Sequence, residues 1–443
     1  MSGKNTKNDP VRLSQCMIVK NEEKNIEKAL GWAKPVAYEQ IIVDTGSTDK
    51  TVEIAEKMGA KVYHFKWIND FSAAKNYAIE QATGDWIAFL DADEYFSPED
   101  TDKLITLLEE IKNDPERNKN TTVLRMPWIQ LNEKGEAFAT YKQSRIFRNI
   151  KEIRYKGKIH EHLTGIGDIV FIENISVMHT GYASSAFEET SKLERNIELL
   201  REELKENPEN MQIKAYLADS LNNKARIENP NGTGADPEAD ILFGEVLSSG
   251  VKIDRVLKKK AYVYFIVKYL GDPAKYEECE MLCEKAYEEF EGDLDFRYFH
   301  ASVLNRMGVH EKAWELLKEI EHILANASHH GDTVYVTADP ALLHGQMLSV
   351  AQALEDVDSV IKYATIVLKA DKTKQHILSP YIYTIRSKGA SEEDVLELLS
   401  EIYDLGDSND LMLIARAAKD CGEVEFAQLL MIIIGELIDG KIQ

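Results

Sequence analysis

Trp86-Ile87-Ala88-Phe89-Leu90 runs directly into Asp91-Ala92-Asp93-Glu94, an apolar stretch that ends on two carboxylates separated by one small residue. An uninterrupted apolar run of this length reads as a strand covered on both faces, as in the parallel sheets of α/β folds. Two acids leaving such a strand together, with Ala92 keeping the turn compact, form the arrangement that a divalent cation and a diphosphate need. A second acidic strand end lies upstream, where Gln40-Ile41-Ile42-Val43 runs into Asp44-Thr45-Gly46-Ser47-Thr48-Asp49.

Outward from these two points the first part of the chain alternates short apolar runs with amphipathic segments. Strands are expected at Leu13-Val19, Gln40-Val43, Lys61-Phe65, Trp86-Leu90 and Thr122-Met126. Helices are expected at Glu23-Leu30, Thr51-Met58, Ser72-Gln81 and Glu99-Ile111. That rhythm predicts an α/β domain with a largely parallel sheet. Ser47 or Thr48 is expected to cap the helix after Asp44, and Pro98 suits a helix start after Ser97. In open α/β sheets ligands bind beyond the carboxyl ends of the strands, so the exits at Asn21-Glu23, Asp44-Asp49 and Asp91-Glu94 are expected to converge on one crevice.

From about Lys192 the spacing becomes helical. Leu193, Ile197, Leu200 and Leu204 recur every three or four residues until Asn207-Pro208. Helix pairs then follow: Ile213-Ala225 with Ala239-Leu247, Val256-Tyr269 with Tyr276-Phe290, and Phe296-Met307 with Glu311-Ile320. Leu342-Leu354 with Val357-Leu368 and Leu411-Lys419 with Glu423-Ile438 complete the series. Their short turns and small-large alternation predict a degenerate tetratricopeptide-like array, a surface suited to a peptide or to self-association into a homodimer. The expected partition is a catalytic domain at 1–186, linker and repeats at 187–325, and further helical repeats at 326–443.

With 443 residues the chain has room for two or three domains. A formal charge of −23 argues against a broad nucleic-acid surface, although Lys142, Arg145, Arg148, Lys151, Arg154, Lys156 and Lys158 gather enough positive charge for a local anion site. Four cysteines make no disulfide framework; Cys279 and Cys283, one helical turn apart, read as packing rather than zinc ligands. The polar start Met1-Pro10 lacks the apolar core of an export signal, and no stretch is long enough to span a bilayer, so the cytoplasm is the expected location.

Asp44 can accept a hydrogen bond from a base N–H or a ribose hydroxyl, or simply cap its turn. Asp91 and Asp93 can hold Mg2+ or Mn2+ so that the cation bridges two phosphates, with Glu94 a further acid beside them. There is no Gly-rich dinucleotide fingerprint and no phosphate-loop Gly-Lys-Ser or Gly-Lys-Thr, which removes the main supports for redox use of a nicotinamide and for nucleoside-triphosphate hydrolysis. Arg145 and Arg148 have fork geometry for phosphate, but on a strand their spacing sets them on opposite faces. Trp67, Trp86 and Trp128 read as core or rim aromatics.

Several ordered segments resemble inverting, family 2-like glycosyltransferases with a nucleotide-sugar-binding A-type fold. They are Met17-Glu23, Asp44-Asp49, Asn69-Ala78, Gly84-Glu94, Arg145-Arg148, Gly157-His162 and His179-Tyr182, spread over about residues 12–183. Two branches are similar: transferases of lipopolysaccharide cores, and sublancin-type peptide S-glycosyltransferases, whose helical portion matches the layout from about Phe187 onward. The resemblance implies a UDP-sugar donor, UDP-glucose or UDP-N-acetylglucosamine, held by Val19, Asn21, Glu23, Asp44, Ser47, Lys75, Asp91, Ala92, Arg145 and Arg148. It implies a metal at Asp91, Asp93 and His179, and an acceptor near Glu161. Lys75 stands where Arg is more common, keeping the charge but losing the bidentate fork.

If residues 160–162 are extended, His160 and His162 share one side and Glu161 takes the other. Glu161 can then act as general base toward an acceptor hydroxyl or thiol, with Asp93 and His162 completing the expected catalytic group. The His-Glu pair is no zinc-protease motif, because position 164 is Thr. The favoured acceptor is Cys or Ser/Thr of a peptide or protein, with a cell-surface glycan as the alternative and a nucleotide-sugar-binding scaffold as the non-enzymatic one.

Overall fold

The computed structural model describes residues 9–180, 186–229, 236–326 and 333–439; the segment Met1-Asn8 and the motif residues Gly181 and Tyr182 lie outside these. The chain divides into two compact units, residues 1–243 and 244–443.

The first unit is built on a nine-stranded sheet. Its strands are β1 (Leu13–Val19), β2 (Glu39–Asp44), β3 (Lys61–His64), β4 (Trp86–Phe89), β5 (Glu94–Phe96), β6 (Thr121–Leu131) and β7 (Ala137–Arg148), with β10 (Asp168–Phe171) and β11 (Val177–His179); β8 (Arg154–Lys156) and β9 (His162–Thr164) form a separate two-stranded ladder. The order is β3-β2-β1-β4-β7-β6-β11-β5, with β10 on β6. Helices α1 (Ile26–Gly31), α2 (Thr51–Lys57), α3 (Phe71–Gln81), α4 (Pro98–Asn113) and α5 (Pro115–Asn120) fall between the early strands.

All four residues of β4 are fully buried, and they alternate between two cores as a strand's period of two dictates. Trp86 and Ala88 pack with Leu104 and Leu108 of α4, whereas Ile87 and Phe89 pack with Ala78 and Ile79 of α3. Burial of each large side chain contributes about 1.5–3 kcal/mol, so this strand is fixed in place by both layers.

The expectation of a largely parallel sheet holds in part: β6 is parallel to β10 and β11, while β11 is antiparallel to β5. β3, β2, β1 and β4 are parallel, but β7 runs antiparallel to β4 and to β6. For β6 and β7 the cause is a short hairpin loop: Asn132 N–H donates to Glu136 O, Gly135 N–H donates back to Asn132 O, and Gly135 takes φ 78°. Loops this short can join only antiparallel neighbours. The expected capping of α2 by Ser47 or Thr48 is also corrected, since Asp49 Oδ1 accepts from Thr51 N–H there while both hydroxyl residues turn toward Asn21. Ser97 and Pro98 do open α4, with Ser97 Oγ accepting from Asp100 N–H.

The rest of the described chain is helical. α6 (Ala186–Glu206), α7 (Met211–Glu228) and α8 (Pro237–Ser248) are followed in the second unit by helices beginning with Arg255–Leu270 and Tyr276–Glu289 and ending with Val424–Ile438. Two helices absent from the sequence-based expectation, Gln375–Ser387 and Glu392–Ser400, lie between 368 and 411. Cys279 and Cys283 are buried in the apolar core of this unit. Buried Lys259 sits 2.7 Å from both Asp293 and Asp295. Among the described residues no helix is long and apolar enough to cross a membrane.

Candidate active site

The carboxyl ends of β2, β1 and β4 lie side by side, because β1 pairs in parallel with both neighbours and Val19 is in register with Asp44. Adjacent strands are about 4.8 Å apart, so the backbones of Asp44 and the acidic exit of β4 are separated by about 10 Å on one sheet edge. The loops above them are stitched together. Asn21, in the left-handed region at φ 58°, donates from its N–H to Ser47 Oγ at 2.9 Å and accepts at its side-chain oxygen from Thr48 N–H at 2.8 Å. Glu23 N–H donates to Asp49, and Glu23 Oε2 accepts from Lys50 N–H. Val19, itself buried, accepts through its carbonyl from Thr45.

Asp44 is buried, and its two oxygens accept from the N–H groups of Ser47 and Gly46 at 3.0 and 3.2 Å. Burial opposes ionisation, but Ser47, Gly46 and neighbouring His64 outweigh it and hold the carboxyl below its usual range. The turn-capping role is therefore present in full, with His64 Nδ1 also 3.4 Å from Oδ2.

At the end of β4 the charges form a connected group. Lys75, on α3 and only 4 % exposed, lies 2.5 Å from Glu161 Oε1 and 3.6 Å from Asp91 Oδ1. Arg145 Nη2 reaches Asp91 Oδ2 at 3.0 Å and also pairs with Glu94. Glu94 is fully buried; it accepts from Asp91 N–H at 3.0 Å and from the Trp128 indole at 2.7 Å, and so buttresses the turn. Burial works against the Asp91 carboxylate, yet Lys75, Arg145 and His179 bring its pKa down to about 2. Burial pushes Glu94 up, with Arg145 opposing. Lys75 is raised despite burial, because Asp91 and Glu161 favour its charged form.

Glu161 reaches this group through an irregular loop. His160 takes φ 51°, so residues 160–162 are not a continuous extended segment and the premise for a same-side placement of His160 and His162 fails. The loop is held from both sides: Ser72 Oγ donates to Gly157 O at 2.6 Å, Phe71 N–H donates to Lys158 O at 2.9 Å, Lys158 pairs with Glu206 of α6 at 2.6 Å, and the His160 ring stacks on Tyr216 of α7 at 3.8 Å and 8°. Asn69, just before α3, is likewise left-handed at φ 59°.

Asp93 and His179 face each other at the exit of β4, two of the three donors expected for a divalent cation. Gln130 Oε1 lies 2.7 Å from His179 Nδ1 and can accept a hydrogen bond from it, and His179 Nε2 lies 3.3 Å from Asp93 Oδ2. An imidazole lone pair facing a carboxylate repels it unless a proton or a metal lies between them, and an outer hydrogen bond of this kind is the usual support of a ligating histidine. Asp91, in its present pairing with Lys75 and Arg145, must turn to join them.

The structure thus brings together Lys75, Asp91, Glu94, Arg145 and Glu161, with Asp93 and His179 alongside. Ala92 is buried beneath the turn. Arg148 is not among them: it lies at the opposite end of β4, over the Trp86 ring, donating to the carbonyls of Asn118 and Thr121. Three residues along a strand amount to about 10 Å, enough to separate the two arginines. His162 stands exposed at the start of β9, opposite Lys156. Gln130, Trp128 and Tyr155 complete the surroundings, and no local pattern in the sequence marks them.

Residues 14–121 match the family model described as glycosyl transferase family 2. The chain is 34 % identical over 209 residues to the SPbeta prophage-derived glycosyltransferase SunS of Bacillus subtilis, covering 46 % of this chain and 48 % of that protein. It is 35 % identical over 226 residues to a TPR repeat-containing protein of Synechococcus elongatus, with 47 % and 51 % covered. Among solved structures, S. aureus TarS superposes over 58 % of this chain and 53 % of its own at 16 % identity and a TM-score of 0.33. The chain spans about half the length of the curated relatives it matches. Its N-terminal α/β region carries a glycosyl transferase family 2 domain.

Proposed function

We propose that the chain is a metal-dependent, inverting glycosyltransferase that uses a UDP-sugar. The observation that carries this reading is the placement of Lys75 between Asp91 and Glu161, which ties the donor end of β4 to the candidate base through one buried cation. Asp44 takes the uridine, Lys75 and Arg145 take the diphosphate, and Asp91, Asp93 and His179 hold Mg2+ or Mn2+. The bound metal supplies charge neutralisation for the departing diphosphate.

In the free protein Glu161 is engaged by Lys75 at 2.5 Å, and that oxygen faces the lysine rather than an acceptor. An incoming diphosphate competes for Lys75 and releases Glu161, which then accepts the acceptor's proton. The acceptor oxygen bonds to the anomeric carbon as the bond from that carbon to the diphosphate oxygen breaks, the electron pair leaving with the diphosphate and the configuration inverting.

For the acceptor we put a sugar hydroxyl of a cell-surface glycan first. A hydroxyl needs the general base that Glu161 supplies, whereas a Cys thiol ionises readily without one. A peptide acceptor at Cys or Ser/Thr, a tetratricopeptide character for residues 187–325 and 326–443, a homodimer through those helices and a cytoplasmic location form the second reading, which the succession of helices favours. Intact-mass analysis after incubation with UDP-glucose or UDP-N-acetylglucosamine, Mn2+ and parallel panels of oligosaccharides and peptides tests both. Sugar transferred to neither panel, with UDP-sugar left unhydrolysed, would refute the proposal.

A further inference from the structure

Tyr155, on β8, is immobilised at every point except its hydroxyl. Its N–H donates to Asn76 Oδ1 and its carbonyl accepts from Asn76 Nδ2, each at 2.9 Å, so one side chain of α3 clamps both backbone groups. The ring packs edge-on against Phe89 at 5.3 Å and Phe147 at 6.0 Å, and the Lys75 amine lies 5.0 Å from its centre. The residue is 7 % exposed, yet its hydroxyl, shielded from solvent, has no hydrogen-bond partner among the described residues. Buried phenols ordinarily find one, and leaving the group unpaired is costly.

A second orphan lies in the same group. Arg145 Nε, also buried, has no partner, although Nη2 of the same guanidinium serves Asp91 and Glu94. Two unsatisfied donors beside a buried lysine call for an acceptor that carries negative charge. Burial pushes the Tyr155 phenol up to about 12, with Lys75 and Arg145 opposing, so it keeps its proton at neutral pH and can donate.

We infer that the Tyr155 hydroxyl is a ligand-binding group, donating to a diphosphate oxygen of the bound donor once Lys75 turns from Asp91 and Glu161 toward the same anion. The inference rests on the donor reading proposed above and adds a contact that the motif segments do not contain. The orphaned state of the free protein then reflects a site arranged for its loaded form.

The test is Tyr155→Phe in the full chain, which keeps the ring and its packing. Calorimetric titration with UDP and Mn2+, and separately with pyrophosphate and Mn2+, is expected to show affinity lower by about 10-fold for both probes. The unfolding midpoint of the ligand-free variant should equal or exceed that of wild type, because an unpaired buried hydroxyl has been removed. Unchanged affinity for both probes would overturn the inference, as would a midpoint lowered by several degrees, which would mark the hydroxyl as structural. A wild-type chain that binds neither probe would instead defeat the donor reading itself.

Discussion

Lys75 can satisfy Asp91 and Glu161 together only while no stronger anion is present, and this gives each carboxylate a separable consequence. Asp91→Ala or Asp93→Ala is expected to lower metal-dependent sugar transfer by about two orders of magnitude or more, measured as turnover across a Mn2+ titration. Glu161→Gln should leave UDP affinity at or above wild type, since the competitor for Lys75 is neutralised, while reducing kcat about 10²- to 10⁴-fold; a variant with undiminished kcat would remove Glu161 from the chemistry. Asp91 and Asp93 were legible in the sequence because a strand and its exit are contiguous. Glu94 was legible only as an acid, not as the buttress that joins Asp91, Trp128 and Arg145. Its partners Trp128 and Arg145 are 34 and 51 residues away, and no local pattern encodes such pairings.

At the scale of elements, β1, β2 and β4 follow from apolar runs of the right length, whereas β6 continues beyond the expected Met126 through Pro127 to Leu131. A proline ordinarily argues against a central strand, and here the pairing with β7 carries the strand past it, Pro127 standing opposite Lys142. The helix Gln375–Ser387 escaped for a related reason, since Pro380 lies inside it. Glu39, at the start of β2, binds β-layer and loop together through Ser14, Thr83 and Lys61. Burial opposes its ionisation, but these partners bring it down to about 2 from an unfolded value near 4.5. A carboxyl depressed in the folded state stabilises fully above the unfolded value and loses that contribution as the pH falls toward the folded one. Wild type should therefore lose on the order of 2 kcal/mol between pH 5 and pH 2 through this group alone, and Glu39→Gln should flatten that part of a urea-denaturation profile. The loop carrying Glu161 leans on α7, so Tyr216→Ala is expected to lower kcat several-fold with UDP affinity retained. Tyr216→Phe, which preserves the stack, should restore the rate.

For the molecule as a whole, the change from sheet to helix was readable from about Lys192, inside α6, because the apolar spacing shifts there from runs to every third or fourth residue. The acceptor was not readable, because helical succession records how a surface is built and not what it binds. In the second unit, Lys259 is held between Asp293 and Asp295, all three buried. Lys259→Met leaves two carboxylates without their cation and is expected to destabilise the chain by about 3–5 kcal/mol, seen as a lower denaturation midpoint. Exposed pairs such as Lys57 with Glu53 should contribute little by comparison.

Asn21, Asn69 and His160 all adopt a handedness that glycine would tolerate more readily, and all three are in the loops around the candidate site. Selection for heat tolerance alone would thus be drawn to these positions, His160 first, where a smaller residue relieves the backbone. Each gain of that kind would relax loops that Ser47 and Tyr216 now hold, so resilience and turnover should diverge in any library that varies them.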